Sequence, residues 1–437
     1  MPRNAKLLIL GGVVAIIAII VAVLFLYAKN GGNVGPFAPF GMGTTTNSHL
    51  PPDENDDGNG GILPGNIVDL KDKRLIKIHA APVSGFSILE KANVLGGKDI
   101  IARYIERGRG YIFETNMSDV VEQTVSSQEH RKIYEAEWGN NGMQAIARYL
   151  NDDTGAIRSF VIKLGDGDVS DGTTTPTLKE VDGEFLPENI TNLAVSNENT
   201  NKVFFLTNIV DDYEGSHIPK SAVGTIHNIT TGNESAVFTS PFTQWLSYWP
   251  QKNIIALTTK PSGGVPGYLY FLNPTTGKLT KEIGDVKGLT TLVGPNGRTT
   301  IYSESASGKF ETKLYDTGEH TFENFPINTL PEKCAWSTAD SNVIYCANPQ
   351  EIPQGMYPDA WYQGVVSFSD DIWMFDLSTG ETRKIIDFKQ ESGGEELDGI
   401  KLATDPDGVF LFFINKKDLS LWALRLKASS VIEKPKD

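Results

Sequence analysis

Cys334 and Cys346 are the residues whose spacing points most directly to a covalent reaction. They flank CAWS and VIYC about the turn Thr338 to Asn342, and a five-residue turn that pairs Ser337 with Val343 also sets 334 opposite 346. Cysteines facing each other across antiparallel strands stand at a Cα separation that a disulfide tolerates. An oxidising compartment would let the bond form, and closing so short a loop contributes up to about 3 kcal/mol. The alternative is a pair of reduced core thiols.

Other residues could bind without reacting. NPQEIPQGMYPDAWYQGVVSFSD, Asn348 to Asp370, carries Tyr357, Trp361 and Tyr362, which could anchor a partner or stack on sugars, or else fold back and plug the top of their own repeat. IVDDYEGSHIPKS, Ile209 to Ser221, sets Asp211, Asp212 and Tyr213 beside Glu214 and His217, a binding loop or a solvated acidic one. Asp166, Asp168 and Asp171 in GDGDVSDG lack a complete set of calcium ligands. Asp53, Asn55, Asp57 and Gly58 begin a calcium loop that places Pro64 where the bidentate Glu belongs. Both read as solvated chain, and neither metal nor cofactor is assigned.

Catalytic signatures are missing where they would be plainest. The sequence has no G-x-S-x-G, H-E-x-x-H or G-x-x-x-x-G-K, and its histidines, at 49, 79, 130, 217, 227 and 320, show no ligand spacing. A binding or scaffolding domain is the reading that follows. The alternative, a carbohydrate-active hydrolase or lyase, needs two carboxylates brought within about 10 Å by the fold, one with a raised pKa.

The elements that must position these residues are strands. After Asn66, short apolar or alternating runs are separated by Gly, Pro, Asn and Asp, with no convincing amphipathic helix. Thr-Gly pairs recur at Thr231-Gly232, Thr276-Gly277, Thr317-Gly318 and Thr379-Gly380, each between an apolar strand and another strand. There glycine supplies the positive φ of a tight hairpin. A second turn, GPNGR, STADSN or DPDGV, precedes strands such as TIYSES, VIYCAN and VFLFFIN. Strand, polar turn, strand, variable loop, strand, Thr-Gly turn, strand is a propeller blade. Ile67 to Lys427 then holds seven blades of roughly 52 residues, six and eight being the neighbouring counts the spacing admits. KLATDP, VFLFFIN and LSLWALRL make three strands of a last blade, whose fourth would be Arg74 to His79. In a propeller the second-to-third and between-blade connections share one face, so the longest insertions decorate that face and the Thr-Gly turns leave the other plain.

DPDGVFLFFIN and DIWMFDLSTGETRKI resemble the repeats of TolB-like propellers, with their WD-type repeats, in which an Asp-Gly turn opens one hairpin and a Thr-Gly turn the next. The resemblance implies an all-β propeller and carries no catalytic residues with it.

Ahead of the propeller, Leu7 to Tyr27 is uncharged and apolar and, at about 1.5 Å per residue, spans roughly 30 Å, which predicts one transmembrane helix. Arg3 and Lys6 precede it, so residues 1–6 should stay in the cytoplasm, too few for an output domain, and the rest be exported from a signal anchor in the plasma or inner membrane. Residues 28–66 hold nine Gly and five Pro and read as a flexible linker; residues 428–437 are a charged tail. The net charge of −15, with no acid among the first 29 residues, argues against nucleic acid as a partner. The expected partners are the bilayer, through residues 7–27, and an envelope protein or glycan.

Overall fold

A computed structural model describes residues 73–427 apart from 94–95, 127–128, 140, 153, 166–180, 199–200 and 214–215; the side chains of 181–182, 212–213 and 216–217 also lie outside the description. The expected transmembrane segment, the linker, the Asp53 and Asp166 acidic runs and the charged tail all fall outside the described residues. Among the described residues, no helix is long and apolar enough to cross a membrane.

Seven antiparallel sheets of four strands form a propeller. The first two blades are Val83–Ala92, Lys98–Glu106, Ile112–Asn116 and Val121–Thr124, then Ile133–Gly139, Gln144–Leu150, Ile157–Leu164 and Val181–Phe185. Blade three is Ile190–Val195, Lys202–Tyr213, Ser216–Asn228 and Glu234–Ser240, and blade four Trp245–Gln251, Ile254–Thr259, Pro266–Leu272 and Leu279–Lys287. Thr290–Val293, Thr299–Ala306, Lys309–Asp316 and Thr321–Asn324 make blade five; Cys334–Trp336, Val343–Pro349, Asp370–Asp376 and Thr382–Asp387 make blade six. Blade seven combines Gly399–Thr404, Phe410–Asn415 and Leu421–Arg425 with Leu75–His79, which pairs antiparallel with Leu421–Arg425. The closure expected of Arg74 to His79 is therefore present, and it removes the free edge that an unclosed array would expose.

The cores lie between blades. Phe413 and Trp422 of blade seven pack with Ile372 and Phe388 from blade six, while Phe412 and Ile414 pack with Val83 and Tyr104 of blade one. All of FLFFIN is buried, because a strand sandwiched between neighbouring blades has no solvent face.

The Thr-Gly turns have a more specific cause than the dipeptide. Asn228, Asn273 and Asp376 each accept backbone N–H groups on a side-chain oxygen, and each backbone carbonyl accepts the N–H four residues on, from Gly232, Gly277 and Gly380. Those glycines have φ of 69°, 69° and 73°. In blade five the turn begins at Asp316, so the fourth position falls on His320, with φ 53°, and Gly318 is not the left-handed residue. The same slot after Asn116 holds Val120, φ 57°. The recurring signal is thus an Asn or Asp and the fourth residue beyond it, which Thr-Gly only approximates.

Candidate functional site

Strand alternation puts the second-to-third and between-blade connections on one face, and the two longest second-to-third elaborations behave differently there. In blade three, Ile209 to Ser221 is no loop: the second and third strands run on as a hairpin, with Ile209 opposite Ser221 and Tyr213 opposite Ser216. The first strand pairs only as far as Thr207 and the fourth only to Ala222, so beyond them the hairpin stands without lateral partners. Ile209 and Ile218 are 51% and 52% exposed, and Val210 is exposed as well. Asp211 is exposed and pairs with Lys220 Nζ at 3.1 Å, while the side chains of Asp212 and Tyr213 lie outside the described residues.

In blade six the insertion folds down. Tyr357 and Trp361 are 1% and 3% exposed, packed with Phe310, Leu330 and Phe368, and Tyr362 is half-buried with its hydroxyl donating to Glu332 Oε1. The rings of Trp361 and Phe368 stack at 6.2 Å, and Tyr357 meets Phe310 edge-on at 5.1 Å. The segment reaches blade four, where Gly263 N–H donates to Asp359 Oδ2 at 2.7 Å, and blade seven, where Lys416 Nζ sits 5.0 Å from the Trp361 ring. A β-carbon at Gly263 would come within 2.5 Å of Tyr357 O, so only glycine lets the insertion lie this close. What it presents outward is Met356, 61% exposed, and Val365, 76% exposed.

Beneath it is an ionic centre that no local pattern announced. Lys333, Asp370 and Asp398 are all 0% exposed. Lys333 Nζ donates to Asp370 Oδ2 at 2.7 Å, to Asp398 Oδ1 and to Gly399 O at 3.1 Å. Asp398 Oδ2 accepts from Trp361 Nε1 and Phe368 N, each at 3.0 Å, and from Ser367 Oγ at 3.3 Å. Asp370 Oδ2 accepts from Gly399 N at 2.7 Å, and its Oδ1 meets no donor among the described residues. Burial pushes the Asp370 carboxyl up to about 7, with Lys333 opposing and Asp398 adding to the rise. Burial would also raise Asp398, but Lys333 and the donors on Oδ2 hold it below the usual carboxylate range. Here, then, are two carboxylates on one ammonium with separated affinities for protons, sealed from solvent.

Cys334 begins the first strand of blade six, one residue after Lys333, and is joined to Cys346 in a disulfide, with Cα atoms 4.0 Å apart and the two residues directly opposite. The bond braces the strand that leads into the insertion. Among the described residues, no three His, Cys, Asp or Glu side chains are grouped to hold a metal ion.

No family model and no curated protein matches the sequence. Solved structures do. An oligogalacturonate lyase in complex with manganese is 10% identical at a TM-score of 0.51, covering 82% of this chain and 98% of that one. The oligogalacturonate lyase of Vibrio parahaemolyticus is 8% identical, also at 0.51, covering 82% and 92%. TolB from Acinetobacter baumannii is 12% identical, covers 78% of each chain and has a TM-score of 0.40. Identities this low speak to the propeller fold and not to an activity.

Proposed function

We propose that this protein is a binding and scaffolding module of the cell envelope, tethered by the apolar segment 7–27 with its propeller outside the cytoplasm, and that it engages a protein partner through its decorated face. The observation that carries this reading is where exposed apolar side chains lie. Ile209, Val210 and Ile218 on the blade-three hairpin, Phe242 and Val265 on neighbouring connections, and Met356 and Val365 on the blade-six insertion all stay exposed on that one face. Exposed apolar side chains that are aliphatic apart from Phe242 suit a protein better than a glycan, which would use aromatic platforms. Of the insertion's aromatics available for that role, Tyr357 and Trp361 are interior and Tyr362 is half-buried. The disulfide supports an oxidising compartment.

The enzyme reading has one observation on its side, the Asp370–Asp398 pair with its split proton affinities. Both carboxylates are engaged with Lys333 and closed off by Trp361 and Phe368, which leaves no place for a substrate, so binding is the better account.

A photo-reactive amino acid at Ile218, compared with one at Thr276 on the plain face, tests this in native membranes. The expected result is one discrete adduct from position 218 and none from 276. Equal labelling from both, or from neither, would sink the reading. Protease added to right-side-out vesicles should digest the propeller and spare an N-terminal tag; the reverse would overturn the topology.

A further inference from the structure

An ion pair is a weak explanation for Lys333, Asp370 and Asp398. Taking an ammonium and two carboxylates out of water costs several kcal/mol per ion, and apolar residues of similar size usually stabilise a core as well or better. What distinguishes the cluster is reactive geometry. Lys333 Nζ lies 5.3 Å from the rings of both Trp361 and Phe368, in a site closed to water, and touches both carboxylates at once. Lys416 Nζ also lies 5.0 Å from the Trp361 ring, and burial, with Lys333 adding to it and Asp398 opposing, holds its ammonium below the usual lysine range.

We propose that Lys333 and Asp370 condense to an intramolecular isopeptide bond, Nζ to Cγ, with Asp398 as the base. Asp398 Oδ1 takes a proton from the Lys333 ammonium, to which it is hydrogen-bonded. The freed lone pair attacks Asp370 Cγ, one bond beyond the Oδ2 that Nζ already contacts at 2.7 Å. Negative charge developing on Oδ2 is met by the Gly399 N–H, 2.7 Å away, as in an oxyanion hole. The unpartnered Oδ1 carries the acid proton, receives a second one from Nζ and leaves as water. The protons balance: the ammonium brings three and the Asp370 acid one, and the amide keeps one, water takes two and Asp398 retains the last. The cluster is neutral before and after, one C–O bond is exchanged for one C–N bond, and nothing is oxidised or reduced.

The two carboxyls are suited to these different roles. Burial keeps Asp370 protonated up to about pH 7, as the acid that must lose hydroxyl, whereas Asp398, held by Lys333 and by the donors on Oδ2, stays ionised as the base. Fixed juxtaposition of amine and acid supplies an effective concentration that free groups never reach, and exclusion of water disfavours the reverse hydrolysis. Asp370 opens the strand that leaves the insertion and Lys333 immediately precedes Cys334, so the amide would tie the insertion's exit to the start of the blade's first strand, which the disulfide already joins to the entry strand.

Intact mass of the full-length chain, denatured and with its disulfide reduced, is the test. The expected mass is one water below that of the sequence, and trypsin should fail to cut after Lys333 and release its peptide joined to the one containing Asp370. Lys333→Arg and Asp370→Ala should each return to the full mass of their own sequence. Asp398→Asn should do so too while both reacting groups remain. In freshly refolded chain, the bond should form more slowly as pH rises through about 7, because Asp370 then loses the proton that lets Oδ1 depart. A wild-type chain that keeps its full mass after long incubation below that pH overturns the proposal, whatever the variants do. So does a missing water that maps to any other pair of residues.

Discussion

Blades three and six receive extra chain at the same topological point and use it in opposite ways. Blade three continues its ladder, so from Ile209 opposite Ser221 to Tyr213 opposite Ser216 the two added strands pair with each other, and the segment stands clear of the blade's first and fourth strands. The blade-six insertion is irregular, with one helical turn at Asp359–Tyr362, and it is closed at its base by Gln350 N–H to Ser369 O at 2.8 Å while Gly355 N–H reaches out to Gly308 O at 2.8 Å in blade five. A ladder frees a segment from its surroundings, whereas irregular chain is drawn down onto whatever can accept its hydrogen bonds. One elaboration thereby exposes Ile209 and Ile218, and the other buries Trp361.

The sharpest way to break that contrast is at Lys333. Lys333→Met removes both the ammonium shared by Asp370 and Asp398 and the amine of the proposed amide, and equilibrium urea unfolding should register a loss of ~3–5 kcal/mol. Trp361→Ala should cost about 3 kcal/mol, through the cavity and the lost donor to Asp398, with limited proteolysis cutting the 350–369 segment before any other. Gly380→Ala sits on the plain face, with open space around the new β-carbon, so it isolates the backbone penalty at φ 73°; calorimetry should show ~1–2 kcal/mol. Ile209→Ser with Val210→Ser should change stability by no more than about 0.5 kcal/mol while abolishing the adduct formed by the probe at position 218. If that pair destabilised the fold as much as Trp361→Ala, the two elaborations would not differ in kind.

How much of this could be read from the sequence depended on how far apart the cooperating residues lie. The Cys334–Cys346 pairing was legible because one short turn fixes the register on both sides of it. Ring closure by the strand at Leu75–His79 was legible because the last blade was visibly one strand short. The blade-three hairpin reads as a loop in the sequence since Asp211, Asp212 and Pro219 are residues that strands disfavour, and the long register of the ladder overrides them. The ionic centre left no local trace, for its members come from three connections separated by 37 and 65 residues. The available hint was a lysine in LPEKCAW, where every neighbour but Glu332 suits a core.

Ring closure also sets an order of events. Leu75 pairs with Leu424 and Ile76 with Ala423, so the earliest strand of the propeller waits for almost the last residues of the domain before its backbone hydrogen bonds are complete. Contacts so distant along the chain form slowly. A ribosome or translocation channel releasing this polypeptide would deliver six blades before the seventh could be sealed, and a chain cut short ahead of Leu421 would carry an orphaned N-terminal strand beside an open seam.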